Sequence, residues 1–399
     1  MKKVEELKKT FDHALLKNSE TAHALNSNLA NHPEISGEEY HSCKEYVRLC
    51  REKGMETEEE FCGLPTAFKA AAVRREKPEA RFALLAEYDA LPQLGHGCGH
   101  SASGSLSLLT AFALCDMAEE LNIDIDLIGT PDEELHGLKA EMVNQGVFKK
   151  YDFAMMIHMN SDVTYPALDF LALGGYRVKF HGQTAHASAS PWEGRNALNA
   201  AGLTVQALDM MRQQVKPDTR ISYYYVNGGE ASNVIPDYAE LEILLRNSKR
   251  SYLNQVVERM RNCVKGACLA TDTTYEIETI GYEYSDMLQN QTGIETICSV
   301  MDELHVPYKM DDHSMMGSSD IGNVSYECPA FSPMLAISNQ HFALHTQEVV
   351  DIMKSPKANE IIDLGARIMG YTVLEIMSDP QKLTKIKEEF SKGKEDYNE

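Results

Sequence analysis

Gly95-His96-Gly97-Cys98-Gly99-His100-Ser101 brings a thiol, two imidazoles and three glycines into seven positions. Thiolate and imidazole are ligands for zinc and related first-row ions, and glycines let backbone pass close to an ion. Cys98 and His100 are two apart, so in an extended segment their side chains point the same way. On its own the segment also reads as a flexible turn, a redox thiol or a nucleophilic cysteine. A redox centre needs a resolving cysteine, and the chain has no Cys-x-x-Cys; Cys263 and Cys268 fall in an expected helix and read as packing residues. His100 is too near Cys98 in the chain to serve easily as its base.

More chemistry-bearing residues lie further along. Asp89 stands in YDALP, Glu133 and Glu134 in GTPDEE, His158 in FAMMIHMN, and His341 and His345 in NQHFALHT. Adjacent carboxylates leaving a strand point in different directions. One can ligate a metal while the other takes a proton from metal-bound water. The same run also suits a solvated acidic turn or the acidic start of a helix. A lone histidine on an apolar strand, such as His158, is often a satisfied core residue. His341 and His345 offer one ligand and one bystander.

The surrounding pattern indicates what positions these groups. ARFALLAEYDALP (80–92), IDIDLIGTPDEE (123–134), DFAMMIHMN (152–160) and PMLAISNQHFALHT (333–346) each read as a strand running into a loop. Helices are expected over 1–25, 38–54 and 105–121, so strands alternate with helices in a mostly parallel α/β sheet. Ligands of open α/β sheets gather outside the carboxyl ends of strands. Four segments therefore aim metal-capable side chains at one edge. From about residue 174 the order changes to βαββαβ, that of a ferredoxin-like sandwich, and the α/β pattern resumes near 292. The expected division is 1–173 and 290–399 as one domain, interrupted by 174–289. SDPQKLTKIKEEFSKGKEDYNE, at the end, reads as a charged, solvated helix with a loose tail.

Sixty acidic against 38 basic residues give a net charge of -22, which argues against nucleic acid or an anionic membrane as the main partner. No apolar run is long enough to span a bilayer, and MKKVEELKKTFDHALL reads as an amphipathic helix rather than a leader. The nine cysteines show no disulfide framework. A cytoplasmic protein is expected.

YDALP with GHGCGH, then GTPDEE, HMN, GQTAHASASPWEGRNAL, ASNVIPDYAEL, GSSDIGNVSY and LHT resemble, in order and spacing, the aminoacylase/carboxypeptidase (metallopeptidase-20) family of metal-dependent amidohydrolases. The branch is the one holding aminobenzoyl-glutamate hydrolases, indole-acetyl-amino-acid hydrolases and β-alanyl dipeptidases. The resemblance spans about residues 25–375. It implies a catalytic α/β domain with two divalent ions, zinc or manganese, and a ferredoxin-like lid through which copies form a homodimer or a higher homo-oligomer. It also implies an N-acyl-amino acid, dipeptide or short peptide as substrate. Carried over by position, Cys98 bridges the ions, Glu134 and His345 complete one site, and His100 and His158 the other. Glu133 becomes the general base and later the proton donor, and Asp89 orients an imidazole. His186 stabilises the oxyanion, while Asn233 and Arg246 bind substrate, Arg246 through a carboxylate. Alternative readings make His186 a helix buttress, Asn233 a turn residue and Arg246 a surface charge. Ser101 stands where the branch has Asp or Asn, and Leu135-His136 where it has glycines; both bear on metal choice and substrate. A non-catalytic metal- or peptide-binding homologue is the competing class, but such a protein has no need of Glu133. A zinc deaminase would need a Pro-Cys-x-x-Cys element that is absent.

Overall fold

The computed structural model describes residues 3–311 and 317–398, which form two compact units. The first comprises the described residues of 1–169, 287–316 and 320–399. Its strands are β1 (Glu56–Glu59), β2 (Phe68–Val73), β3 (Arg81–Ala86), β4 (Asp124–Gly129), β5 (Phe153–Met155), β6 (His158–Asn160), β11 (Ala330–Phe331) and β12 (Met334–Ala336). Its helices are α1 (Val4–Asn31), α2 (Tyr40–Glu52), α3 (His100–Asp116), α4 (Leu138–Asn144), α7 (Gln291–Glu303), α8 (Ile321–Ser325), α9 (Gln347–Met353), α10 (Lys357–Ser378) and α11 (Pro380–Asn398). The sheet order is β1-β2-β4-β3-β5-β11, parallel from β4 to β11, with β1 and β2 antiparallel at one edge. The fold is the expected α/β class with a mostly parallel sheet.

The segment 152–160, expected as one strand, is split into β5 and β6. Ala330 and Phe331 pair with Ala154 and Met155, and Met334 resumes the same register on His158. Pro333 lies in the gap of the neighbouring segment; having no N–H, it breaks the ladder there.

α3 is buried along nearly its whole length, which explains its run of small residues. Two of its hydroxyls are satisfied by backbone: Ser103 donates to the Ile157 carbonyl and Ser107 to that of Leu85, each at 2.7 Å. At Gly104 an added Cβ would run into the Glu87 carbonyl and the Tyr46 hydroxyl. Gly104→Ala is therefore expected to destabilise the unit by about 1–3 kcal/mol. A lower midpoint of thermal unfolding checks this; an unchanged midpoint would mean that β3 and α2 can yield.

α11 is not loose. Ile386 is fully buried, its carbonyl accepts from Asn290 Nδ2 at 2.8 Å, and Glu389 accepts from the Thr292 N–H at 2.9 Å. Leu383 also packs against the core, and Lys387 pairs with Asp152 at 2.5 Å.

The second unit comprises 170–286 and 317–319. Here β7 (Ala172–His181), α5 (Ala197–Met211), β8 (Arg220–Asn227), β9 (Tyr238–Asn247), α6 (Arg250–Thr271) and β10 (Thr274–Tyr284) follow the βαββαβ order. The antiparallel sheet runs β10-β7-β9-β8. Alternate β9 residues Ala239, Leu241, Ile243 and Leu245 are buried, in a core shared with Ala200 of α5 and Leu253 and Met260 of α6. Among the described residues no helix is long and apolar enough to cross a membrane.

Candidate metal centre

Four strand ends of the first unit deliver the predicted ligands. After β3 the chain presents Glu87, Asp89 and then Cys98. His100 is not in an extended segment with Cys98, as its spacing suggested; it opens α3, behind Gly99 at φ 85°. A side chain at Gly99 would also meet Met159 at 2.6 Å, so glycine answers both the backbone angle and the space. After β4 come Glu133 and Glu134. His158 is the first residue of β6. His345 follows β12 with a left-handed backbone, φ 63°, and its N–H donates to the Gly97 carbonyl at 2.9 Å.

The donor atoms converge. Those of Cys98, His100 and His158 lie within 4.8 Å of one another, as do those of Cys98, Glu134 and His345, and those of His100, Glu133 and Glu134. Cys98 Sγ is 3.3 Å from His158 Nε2, and His345 Nε2 is 3.6 Å from Glu134 Oε1. Bonds of about 2.3 Å to sulfur and about 2.0 Å to nitrogen or oxygen put tetrahedral ligands about 3.5 Å apart, so these spacings suit ions held between the pairs. His100 Nε2 and Glu134 Oε1 are buried without a hydrogen-bond partner, a deficit that a cation would remove.

The outer contacts fix the imidazoles. His158 Nδ1 is 2.7 Å from the Met159 carbonyl, which can only accept, so Nδ1 carries the hydrogen and Nε2 keeps its lone pair. His100 Nδ1 meets Asp89 Oδ1 at 2.8 Å, leaving Nε2 toward the cluster. Asp89 Oδ2 in turn accepts from Ser36 Oγ at 2.8 Å and the Glu134 N–H at 3.0 Å. Burial opposes charge on both partners, but their attraction prevails: His100 is pushed well up and Asp89 held well down. Burial, then His100, lowers His158, as a neutral ligand requires. Burial and the Glu134 carboxylate push the Cys98 thiol well up, so it is no activated nucleophile or redox thiol by itself. Burial, then Asp320 and Glu87, pushes Glu133 well up.

Other candidates fall away. His341 is exposed and pairs with Asp162 at 3.1 Å. His96 is buried, pushed down to about 3 by burial and by His100, and belongs to none of the groups. Ser101 is buried, and its Oγ has no hydrogen-bond partner among the described residues. His136 folds back on Asp132, Nδ1 to Oδ2 at 2.7 Å, leaving Leu135 exposed beside the glutamates.

The sequence reading missed Glu87, Lys139 and Asp320. Glu87 Oε2 lies 3.5 Å from His100 Nε2, and Glu87, Glu133 and Asp320 form a further carboxylate group. Glu87 had a signal, since residues 87 and 89 share one side of an extended strand end. Lys139 had none: a lysine at the start of a short helix reads as a surface charge.

His186, Asn233 and Arg246 belong to the second unit. His186 Nδ1 accepts from the N–H groups of Ser188 and Ala189 at 3.3 and 3.2 Å, so its hydrogen sits on Nε2, free to donate. The Ala187 N–H donates to the Asn233 carbonyl at 3.1 Å, which ties the two segments together. Arg246, on β9, reaches Ser318 Oγ at 3.4 Å and has no ion pair among the described residues.

Residues 172–272 match the family described as the peptidase dimerisation domain. Xaa-Arg dipeptidase of Mus musculus is 31% identical, with 92% of this chain and 88% of that protein covered. A p-aminobenzoyl-glutamate hydrolase polypeptide of Escherichia coli K12 is 25% identical, with 90% of this chain and 89% of that one covered. Among solved structures, a dinuclear metal binding peptidase of Bacillus subtilis superposes with a TM-score of 0.68 at 19% identity, covering 93% of this chain and 99% of that one, a likeness of fold.

Proposed function

From the membership of this chain in the M20 family of metallopeptidases, we propose that it is a di-metal amidohydrolase cleaving N-acyl-amino acids, dipeptides or short peptides. Its relatives are dipeptidases, carboxypeptidases and aminobenzoyl-glutamate hydrolases, and peptidase or amidohydrolase activity follows for this chain. The observation that carries the metal reading is that two ligand groups share one atom, Cys98 Sγ. Cys98 with His100 and His158 would hold one ion, and Cys98 with Glu134 and His345 the other. The imidazoles and carboxylates suit zinc or manganese, and the thiolate favours zinc.

When bound, the ions supply Lewis acidity to the scissile carbonyl and to the attacking water. Glu133 accepts a proton from that water as its oxygen bonds to the carbonyl carbon. As the C–N bond breaks, Glu133 returns the proton to the leaving amine. Asp89 holds His100 in the ligating tautomer. His186, with hydrogen on Nε2, is assigned to the developing oxyanion, and Asn233 and Arg246 to the substrate; for Arg246 the support is a cation without an ion-pair partner among the described residues. We assign 1–173 and 290–399 to catalysis and 174–289 to the lid, which joins two copies, as the matched dimerisation domain supports. Work in the cytoplasm agrees with nine free cysteines.

The test is a panel of N-acyl-amino acids and dipeptides against the protein loaded separately with zinc and with manganese. At least one should release a free amino acid with a kcat of about 1 s⁻¹ or more. A chain carrying two ions that cleaves nothing in the panel would return the reading to a metal- or peptide-binding homologue.

A further inference from the structure

Lys139 is fully buried, and its ammonium lies 2.6 Å from Glu87 Oε1 and 2.7 Å from Asp320 Oδ1. Its backbone N–H donates to the other Asp320 oxygen at 2.9 Å. One residue thereby pins three segments: the end of β3, the entry to α4 and the residue before α8. Glu133 shares this space, its carboxylate atom lying within 4.8 Å of those of Glu87 and Asp320. Three carboxylates so close repel one another unless a cation stands among them. Burial opposes charge on Lys139, but Asp320 and Glu87 outweigh it and push it up, so the ammonium persists. Stability alone does not account for the arrangement, since packed apolar side chains commonly replace a buried ion pair at no cost.

We propose that Lys139 is a positioning residue for the hydrolysis, drawing Glu87 and Asp320 onto one ammonium and so fixing where the Glu133 carboxylate stands; this rests on the reading of Glu133 as the base. The β4–α4 loop is held on one side of Glu133 by the Glu134 N–H on Asp89 and on the other by Lys139. With the ammonium gone, Glu87 and Asp320 part and Glu133 loses its outer wall.

The full chain carrying Lys139→Met, Lys139→Met with Asp320→Asn, or Asp320→Asn alone is loaded with manganese. Turnover, metal content and thermal midpoint are measured, and the double variant is crystallised. The double variant, with its net charge restored, should fold and keep two ions. Its kcat should fall by at least about 100-fold with KM changed less than about threefold, because a base misplaced by about 1 Å costs that much. In the crystal the Glu133 carboxylate should shift by about 1 Å or more. A folded, loaded double variant with Glu133 unmoved, or with kcat within about fivefold of the parent, overturns the proposal. Should neither Lys139 variant fold, Asp320→Asn decides, with a kcat loss of about tenfold or more expected and an unchanged kcat overturning it. If the loaded parent itself hydrolyses nothing, the hydrolase reading fails, and the position of Glu133 in the crystal still judges Lys139.

Discussion

Glu133→Gln lowers kcat by about 10²–10⁴-fold, the range expected when a general base is removed, and leaves KM within a few-fold. Glutamine keeps the shape of the side chain but cannot accept and return a proton. The protein should retain its metal, because the two groups sharing Cys98 are complete without residue 133. Glu133 does meet His100 and Glu134 in a third group, however. Steady-state kinetics with elemental analysis therefore separates two roles. Lost activity with two ions retained identifies the base; lost ions would exchange the roles of Glu133 and Glu134. A variant within about tenfold of the parent would place the base elsewhere.

Cys98→Ala should release both ions, since Sγ belongs to both ligand groups. Affinity should fall by more than about 100-fold, beyond what loss of an outer contact costs, and turnover should vanish with it. The metal-free fold should hardly change. Without a cation the thiol is buried and pushed far up, hence neutral, and its loss opens only a small void. The readout is thermal unfolding with and without metal. Ligand at about 100 times its dissociation constant stabilises the parent by about 2.7 kcal/mol, whereas the variant should show no such gain. An equal gain in both would remove Cys98 from the ligand set.

Much of this site was legible because it hangs on strand ends, and strands announce themselves by short apolar runs. Asp89, Cys98, Glu133 and His158 each follow or begin such a run, so their convergence could be read from chain order alone. Choosing His345 over His341 needed the resemblance; in the fold His341 turns to Asp162. The alternation along β9 marked the second unit in the same way. Less local features escaped. The break between β5 and β6 is imposed by Pro333, between β11 and β12 in the neighbouring segment. His100 begins a helix because Gly99 takes a left-handed turn, which two-residue spacing does not reveal. α11 docks through Ile386 inside a charged sequence. Lys139 acquires its meaning only from Glu87 and Asp320, remote in the chain.

The hydrogen bond from His345 to the Gly97 carbonyl joins the last ligand loop to the first through backbone atoms alone. The stitch needs no ion, so a metal entering these loops is expected to have little chain to order. Chelation should then strip the protein without unfolding it, and a circular dichroism spectrum that collapses on addition of chelator would show that the loops need the ion.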